Sequence, residues 1–560
     1  MNSEPATLTA DVVIVGGGHN GLVAAAYLAR AGLAVTVLER LPELGGAAVS
    51  ASPFEGVDAR LSRYSYLVSL LPQQIITELG LDLTLVRRRY SSYTPVPRGT
   101  AGLPGDGDLR ATAGLLIDTA DPDATRASFA AIGGAADADP FTDFYEHTRR
   151  LAEVVWPTLT GPLPRRSDLR ERLAADHLWH SMIERPIGEV IERHLANDVV
   201  RGVVLTDALI GTFARAHDAD LAQNICFLYH LIGGGTGDWD VPVGGMGAVT
   251  TALATAARSA GATLVTGADV TAVSPTGEVT YALDARPHTL RADTVLANVS
   301  PTELARLLSA ASGSPGTPAG AAAPEGAQAK VNLMLTRLPA LRDPSLSPEA
   351  AFGGTFHINE TYSQLDAAYL SAASGALPRP LPAEIYCHSL ADPSILSPEL
   401  RAAGAHTLTV FALHVPHRLV TEETNDAFRD EVQAAVLASL NSVLAEPIED
   451  CLMLDARGRP CIETKTTLDL EHALRLPGGN IFHGTLSWPF ADDDEPLDTP
   501  AQRWGVATEH ERILLCGSGS RRGGAVSGLG GHSAAMAVIE RVTAAAQAQG
   551  SGQGEPGIHH

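Results

Sequence analysis

The sequence predicts an α/β fold on three observations. An apolar run between Asp11 and Val15 leads into a glycine-rich turn, a helix-like segment that ends near Ala31, and a second apolar run over residues 33–38. Residues 140–230 carry apolar side chains at helical spacing. Apolar and β-branched runs between residues 331 and 415 predict strands. We therefore expect a β-α-β domain, a mixed-sheet domain and a helical cap.

The turn after the first predicted strand is Gly16-Gly17-Gly18-His19-Asn20-Gly21. Gly16 suits the tight turn, Gly18 lets the backbone approach a pyrophosphate, and Gly21 lets the helix pack against the strand. The phosphates would meet free N–H groups at the positive end of the helix dipole. The second apolar run ends in Glu39, 23 positions after Gly16, where an acid can bind the adenosine ribose. This spacing predicts a Rossmann-type dinucleotide site.

The residues after Glu39 favour FAD as the dinucleotide. Arg40 and then Gly45-Gly46 continue the motif as E-R-x-x-x-x-G-G, an extension more frequent in flavoproteins than in nicotinamide dehydrogenases. The triplet Gly233-Gly234-Gly235 runs into Gly237-Asp238-Trp239-Asp240, which is not the start of a helix. A separate NAD(P)H domain is therefore not expected.

Further motifs carry a resemblance to a known family. They are "GGGHNGLVAAAYLARAG", "SRYSYLVSLL", "PVGGMGAV", "LPGGNIFHG" and "GSGSRRGGAVSGLGG", and they extend from residue 11 to about residue 540. On these blocks the chain resembles the phytoene desaturase-like flavoproteins. Within them it is most similar to the branch named pyridine nucleotide-disulfide oxidoreductase domain-containing protein 2.

The resemblance implies which residues hold FAD. It assigns the ribose to Glu39 and the adenine to the main chain of Val270. The rest of the dinucleotide is assigned to Gly16, Gly18, Gly21, Arg40, Gly45 and Gly46. A C-terminal block would close the site with Gly517, Ser518, Gly524, Ala525 and Val526. Val526 and its neighbours would begin the last helix, whose N–H groups face the pyrimidine edge of the flavin. Many related flavoproteins have an acid at the position of Ser518.

Length and charge limit the function classes. A chain of 560 residues predicts two or three packed domains, and an apolar content of 45% is ordinary for an α/β protein. The formal charge of −24 argues against nucleic acid and anionic bilayers as partners. The basic clusters Arg87-Arg88-Arg89 and Arg165-Arg166 are interpreted as solvated faces, with transient contact at a membrane surface or a phosphate as the alternative.

Targeting and cysteine patterns predict a cytoplasmic location. The first apolar run is too short to span a bilayer, and residues 1–10 contain Glu4 but no Lys or Arg, so a signal peptide is not predicted. The cysteines form no C-x-x-C motif, which excludes a disulfide-reductase mechanism and fits a reducing compartment. They are Cys226, Cys387, Cys451, Cys461 and Cys516.

The predicted domain organisation is discontinuous. An FAD-binding domain comprises residues 11–70, 240–300 and 505–545, and a substrate-binding sheet domain comprises 71–139 and 301–504. A helical cap over the flavin comprises 140–239. Residues 309–328 are rich in Ala, Gly, Pro and Ser and predict a flexible loop, and residues 1–10 and 546–560 predict flexible tails.

No acid–base constellation is visible in the sequence, which suits a desaturase in which the flavin itself accepts a hydride. His483 could face the isoalloxazine or the substrate, although a structural histidine bonded to the backbone is favoured. His19 is interpreted as a residue of the helix cap rather than a base. Four further histidines lack the carboxylate–histidine spacing typical of a metal site: His357, His388, His414 and His417. No metal site is therefore predicted.

The predicted function is that of an FAD-dependent oxidoreductase of the dehydrogenase or desaturase type. It would take a hydride and a proton from a lipophilic small molecule, and oxygen or a quinone would reoxidise the flavin. Two alternatives stay open: a flavin-dependent double-bond isomerase, and a non-catalytic interaction protein that keeps the flavoprotein fold. The sequence leaves the substrate, the electron acceptor and the oligomeric state unspecified.

Overall fold

The computed structural model describes residues 8–97, 112–313 and 324–551 of the chain. Its strands, numbered in chain order, are β1 Leu8–Val15, β2 Val35–Glu39, β3 Ser50–Ala51, β4 Leu61–Ser62, β5 Leu85–Val86, β6 Tyr90–Pro97, β7 Thr112–Asp118, β8 Val241–Pro242, β9 Thr263–Thr266, β10 Asp269–Val273, β11 Glu278–Leu283, β12 Arg286–Ala297, β13 Ala329–Leu335, β14 Thr355–Ile358, β15 Ala383–Tyr386, β16 His406–Ala412, β17 Ile462–Lys465 and β18 Ile513–Leu515.

The α-helices follow the same order. They are α1 His19–Arg30, α2 Gln73–Leu79, α3 Pro122–Ala131, α4 Ala138–Val155, α5 Arg166–Leu173, α6 Asp176–Trp179, α7 Ile187–His194, α8 Asp198–Thr206, α9 Ala222–Leu231, α10 Met246–Ser259, α11 Pro301–Ala311, α12 Pro348–Phe352, α13 Tyr362–Ala373, α14 His388–Ala391, α15 Pro398–Ala402, α16 Asn425–Val443, α17 Thr467–Leu474, α18 Pro500–Arg503 and α19 Leu529–Ser551. None of the helices in the described ranges is both long and apolar enough to cross a bilayer.

The first sheet contains the predicted β-α-β unit. Its strand order is β10-β11-β12-β1-β2-β9, with β18 beside β12. Strands β12, β1, β2 and β9 run parallel, as do β12 and β18, whereas β10, β11 and β12 form an antiparallel meander. Helices α1, α10 and α19 bury apolar side chains against one face. The parallel strands and the helix that connects β1 to β2 confirm the predicted Rossmann-type fold.

The second sheet is mixed, as predicted. Its order is β17-β13-β16-β15-β14-β6-β7. Within the described ranges β14 and β6 pair in parallel, and the other neighbouring strands pair antiparallel. All seven residues of β13 are buried. The four odd-numbered residues of β13 share a core with Val432 and Val436 of α16, and Met334 lies in a separate apolar cluster. This continuous burial explains why the apolar run around Val331 lacks strict alternation.

The helical layer begins earlier than the predicted residue 140. Helix α3 starts at Pro122, and the Asp121 carboxylate caps it by accepting the Ala124 N–H at 2.9 Å. Phe129 of α3 lies in the same apolar core as Phe144 and Phe227. The layer therefore extends over α3 to α9.

Three further predicted boundaries are corrected by the structure. Helix α11 buries Leu304 and Leu307 against the first sheet, so residues 301–311 belong with the dinucleotide domain rather than with the second sheet. Helix α19 continues to Ser551, into the predicted tail 546–560, because its Ala-rich and Gln-rich end has high helix propensity. Strand β1 likewise includes residues 8–10. The predicted tails over 1–7 and 552–560 lie outside the described residues.

The predicted flexible loop over 309–328 is also only partly described. Residues 309–311 complete α11, and Ala327 and Gln328 are buried. Residues 314–323 lie outside the described ranges.

Candidate functional site

A glycine cradle lies between β1 and α1. Gly16 has φ +102°, and a Cβ at this position would lie 2.7 Å from the backbone oxygen of Asn298. Gly18 immediately precedes α1, and a Cβ on Gly21 would lie 2.3 Å from the Gly16 oxygen. A Cβ is therefore excluded at Gly16 and Gly21, and the bare turn allows a close approach of a phosphate to the backbone.

The predicted glycine pair lies against this cradle. The Gly45 N–H donates to the Gly17 oxygen at 2.9 Å, and Gly45 forms a bridge with Gly18. Gly46 has φ +59°, and a Cβ there would lie 3.2 Å from the Gly18 Cα. A larger residue at this position would thus press on the cradle.

Glu39 fixes the base of the cradle at the end of β2. Its Oε2 accepts the Gly17 N–H at 2.8 Å, and its Oε1 accepts the Leu41 N–H at 2.7 Å. Burial raises the pKa of Glu39, while these N–H groups oppose the rise. Each carboxylate oxygen retains a second lone pair, so Glu39 can also accept a ribose hydroxyl.

Most predicted FAD contacts line one cavity, here called the dinucleotide cavity. They are Gly16, Gly18, Glu39, Arg40, Gly46, Val270, Ser518, Ala525 and Val526. His483, the histidine that could face the isoalloxazine or the substrate, lines the same cavity. Gly21, Gly45 and Gly517 do not line this cavity: Gly21 packs against the turn, Gly45 lies beside it, and Gly517 packs against Asn298. Gly524 lines a neighbouring cavity.

Sequence reasoning missed Asn298, which follows β12. Its Nδ2 donates to the Gly16 oxygen at 2.9 Å, and its backbone N–H donates to the Val15 oxygen at 2.9 Å. Because β12 is parallel to β1, its carboxyl end lies beside the cradle. The end of an apolar run at a polar residue was the available signal, but strand pairing is needed to connect it with Gly16.

Arg475 was also missed, at the Val270 end of the cavity. Its guanidinium donates to both oxygens of Asp269, at 2.8 and 3.0 Å. Arg40 donates through Nη2 to the Ala473 oxygen at 2.7 Å. Both arginines thereby hold the end of α17 beside the cavity.

The buried His19 and the half-buried His483 line the opposite end. His19 Nε2 lies 3.1 Å from the Ala525 oxygen. Burial lowers the pKa of both His19 and His483 to about 4, so both imidazoles are neutral at neutral pH. His483 has φ +64°, and its buried Nδ1 has no hydrogen-bond partner among the described residues. This unused nitrogen is available to a ligand in the cavity.

The C-terminal segment passes between this end of the cavity and α19. The prediction that Val526 begins the last helix is wrong, since α19 starts at Leu529. Gly524, Ala525 and Gly528 have positive φ values, which a right-handed helix does not accommodate. The segment nevertheless places Ser518, Ala525 and Val526 on the cavity wall.

A second cavity, here called the aromatic cavity, adjoins the first. Ser65, Ile481, Ala525 and Val526 line both cavities. Its other walls are mainly aromatic and aliphatic, from Tyr64, Tyr66, Leu67, Leu70, Ile210, Tyr229, Trp239, Phe411, Phe482 and Leu486. The Tyr66 ring centre lies 3.9 Å from that of Tyr386 and 4.5 Å from that of Phe411. This space suits an apolar ligand.

Lys330 lies behind the aromatic cavity. Its Nζ donates to the Ser62 oxygen at 2.8 Å and lies 5.0 Å from the ring centre of Phe411. Burial holds the pKa of Lys330 well below its usual range. Sequence reasoning did not single out this residue, which stands in the apolar strand β13.

A third cavity of about 580 Å³, here called the inner cavity, adjoins the aromatic one. The residues that line both are Tyr66, Leu67, Ile210, His230 and Trp239. Its polar wall includes Arg88, Asp207, His357, Glu384 and Tyr386.

The polar wall is part of a buried acid cluster. His357 Nδ1 lies 2.6 Å from Glu360 Oε2, a carboxylate–histidine pair that the sequence analysis did not identify. Glu384 accepts hydrogen bonds from Thr206 at 3.0 Å and from the Tyr386 hydroxyl. Burial raises the pKa of Glu384 to about 7. The sequence does not reveal the cluster because Thr206, the His357–Glu360 pair and the Glu384–Tyr386 pair come from three distant segments of the chain.

The buried acid cluster contains potential metal ligands, whereas the cysteine thiols are poorly suited to disulfide exchange. His357, Glu360 and Glu384 offer ligand atoms that lie within 4.8 Å of one another, so the absence of a metal stays a prediction. The five cysteines are buried and form no disulfides. Burial raises the pKa of each thiol, which disfavours the thiolate needed for disulfide exchange.

Comparisons with known proteins give the family. A family model described as an NAD(P)-binding Rossmann-like domain matches residues 14–73. An uncharacterized protein of Mycobacterium tuberculosis is 59% identical over 539 residues, which cover 94% of this chain and 97% of the relative. Pyridine nucleotide-disulfide oxidoreductase domain-containing protein 2 of Rattus norvegicus is 30% identical over 571 residues, which cover 94% of this chain and 93% of the relative.

A solved structure of a putrescine oxidase variant shares the fold. It has a TM-score of 0.55 at 17% identity and covers 96% of this chain and 100% of its own. At this identity the likeness shows the fold alone. The identity to the rat protein extends over nearly the whole of both chains. The chain therefore belongs to the family of pyridine nucleotide-disulfide oxidoreductase domain-containing protein 2.

Proposed function

We propose that this protein is an FAD-dependent oxidoreductase of the dehydrogenase or desaturase type that oxidises a lipophilic substrate. The observation that carries the proposal is the succession of three adjoining cavities. The dinucleotide cavity shares Ala525 and Val526 with the aromatic cavity, which shares Tyr66 and Trp239 with the inner cavity. A dinucleotide held at the cradle would thus end beside an apolar space that can hold a substrate.

The residues present fit FAD. Gly18 and the first turn of α1 would receive the pyrophosphate, because a Cβ at Gly18 would intrude on the cradle 3.3 Å from the Asn298 amide nitrogen. Glu39 would accept a ribose hydroxyl, and Val270 would border the adenine. The unpartnered Nδ1 of His483 and the buried Ser518 would meet polar groups nearer the flavin. When bound, FAD would supply a two-electron acceptor.

The protein's own part in the reaction is to bind, orient and exclude water. The rings of Tyr66, Trp239 and Phe411 would orient an apolar substrate by contact. Neutral His19 and His483 would leave no cationic imidazole at this end of the dinucleotide cavity at neutral pH. Oxygen or a quinone is proposed as the final electron acceptor, and the cytoplasm as the location.

The test is anaerobic mixing of FAD-loaded protein with lipophilic candidate substrates. Oxidation of the substrate predicts loss of the flavin absorption band and a product with two fewer hydrogens. A product of unchanged mass, without net flavin reduction, would support the isomerase instead. If dithionite reduces the flavin but no substrate in a broad panel reduces it, the result would favour the non-catalytic interaction protein.

A further inference from the structure

The arginine cluster between β5 and β6 does not form one solvated face. Arg87 pairs with Asp238 at 2.5 Å and with Asp240 at 3.3 Å. Arg89 makes a bidentate pair with Asp118, with its shortest distance 2.8 Å. The half-buried Arg88 between them instead lines the inner cavity. The interpretation of the whole cluster as a solvated face is therefore wrong for Arg88.

Arg88 has most of its hydrogen-bond donors unused. Its Nη1 donates to the Thr355 hydroxyl at 3.3 Å, and its guanidinium carbon lies 5.7 Å from the Tyr386 ring centre. Its Nε is buried without a partner, and no described carboxylate forms an ion pair with it. A guanidinium offers five N–H donors in a planar fork, so an oxygen ligand can be bound here.

The other arginines of the inner cavity are already paired. Arg126 lies 2.6 Å from Asp139, and Arg149 pairs with Glu153. Their charges are compensated by side chains of the protein. Among the described residues that line this cavity, Arg88 is thus the arginine left for a ligand.

The acidic side chains near Arg88 carry no negative charge when they are protonated, and in that state they do not neutralise the positive charge of Arg88. Burial raises the pKa of Asp207 and of Glu360 well above the usual range, and it raises that of Glu384 to about 7. Burial also lowers the pKa of His357 to about 4, so this imidazole adds no positive charge near neutral pH. Arginine keeps its charge in proteins, and an unpaired buried charge is unfavourable.

We propose that the inner cavity binds a lipophilic carboxylate, with its carboxylate on the Arg88 guanidinium and its hydrocarbon part extending past Tyr66 and Trp239 towards the aromatic cavity. This deepens the proposed function, on which it rests, by naming the substrate class. An arginine fork matches the two oxygens of a carboxylate. The residues shared by the inner and aromatic cavities are mostly apolar or aromatic, which suits the hydrocarbon part.

The experiment is calorimetric titration of the FAD-loaded protein with decanoate, decanol and decylamine at pH 6.5. We expect decanoate to bind at least about tenfold more tightly than the other two, which corresponds to about 1.4 kcal/mol. Arg88→Gln should abolish this preference. The matched control, Arg87→Gln, removes a neighbouring arginine whose side chain is 60% exposed and should keep the preference. Equal binding of the three probes, or tighter binding of decylamine, would overturn the proposal.

A second variant, Arg88→Lys, keeps the proposal testable if Arg88→Gln does not fold. Arg88→Lys keeps the charge but loses the planar fork, so we expect an intermediate preference for decanoate. Unchanged decanoate affinity in Arg88→Lys and in folded Arg88→Gln would also overturn the proposal. The titration measures binding rather than turnover. A protein that discriminates decanoate but fails to reduce its flavin would therefore contradict the proposed function and not this inference.

Discussion

At the scale of single residues, Gly18 is the most direct test of the cradle. Gly18→Ala places a methyl group where the pyrophosphate would lie, while its nearest protein atom would be the Asn298 amide nitrogen at 3.3 Å. We expect the affinity for FAD to fall at least about tenfold with little change in folding. Fluorescence titration with FAD measures this change.

The matched control for Gly18→Ala is Gly161→Ala. The Cβ of this alanine would lie 3.8 Å from its nearest neighbour, the Thr158 oxygen, in ordinary van der Waals contact. This variant should bind FAD as the wild type does. Equal FAD affinity of Gly18→Ala and the wild type would show that the pyrophosphate does not lie on the cradle.

Glu39 has both a structural and a binding role. Glu39→Ala leaves the Gly17 and Leu41 N–H groups without their carboxylate partner. We expect the free energy of unfolding to fall by about 2 kcal/mol and FAD affinity to fall as well. Urea unfolding and FAD titration check the two effects, with the exposed Glu43→Ala as control. Unchanged stability would refute the structural role.

The sequence alone predicted the residues of the cradle, but it did not predict the distant residues that complete the cavity around it. Gly16, Gly18 and Glu39 belong to one short motif whose spacing reflects a β-α-β unit. Asn298 and Arg475 reach the same cavity from segments far away in the chain, through strand pairing and an ion pair with Asp269. Such contacts depend on tertiary structure and leave no local pattern.

At the scale of secondary-structure elements, β15 contributes a titratable side chain to the inner cavity. Glu384 is protonated below its pKa of about 7 and ionised above it. Ionisation would place a negative charge near the carboxylate bound by Arg88. We therefore expect decanoate affinity to fall as the pH rises from 6 to 8, through about 7, and the dependence to be weaker in Glu384→Gln.

The other groups near Arg88 do not reverse this sign. Burial raises the pKa of Asp207 and Glu360 well above the usual range for a carboxyl group. It lowers the pKa of His357 to about 4. It also raises the pKa of Tyr66 and Tyr386 well above the usual range for a phenol. Asp240 is engaged by Arg87. Calorimetric titration across this pH range makes the measurement, and an affinity that rises with pH would contradict it.

The elements also show where sequence patterns lose information. The apolar runs correctly predicted β1, β2, β13 and β16, because these strands are largely buried and therefore consist mainly of apolar residues. The start of α19 was misplaced because the positive φ values at Gly524 and Ala525 depend on the packing of the segment. The three consecutive arginines carry the same charge, and only the fold separates Arg88 from its neighbours.

At the scale of the whole molecule, four distant segments form the dinucleotide cavity. Its walls come from residues 15–65, 268–307, 474–483 and 518–526. A ligand that binds only the folded state stabilises it by mass action, by about 2.7 kcal/mol at a concentration of 100 times its Kd. Saturating FAD should therefore raise the Tm of the wild type and raise that of Gly18→Ala less. An equal rise in both proteins would mean that FAD binds elsewhere.

The architecture of the whole chain was more predictable than its boundaries. The two sheets follow from long apolar segments, whereas α11 joined the first sheet through Leu304 and Leu307, which the chain order alone did not indicate. The adjoining cavities could not be predicted at all, because they arise from the way the sheets and the helical layer pack together.

The most direct test of the central claim is the visible absorption spectrum of the purified protein after incubation with FAD and desalting. We expect oxidised-flavin bands that bleach on anaerobic reduction, and much weaker bands for Gly18→Ala treated in the same way. A folded wild-type protein that stays colourless after this treatment would contradict the assignment of the glycine cradle to FAD.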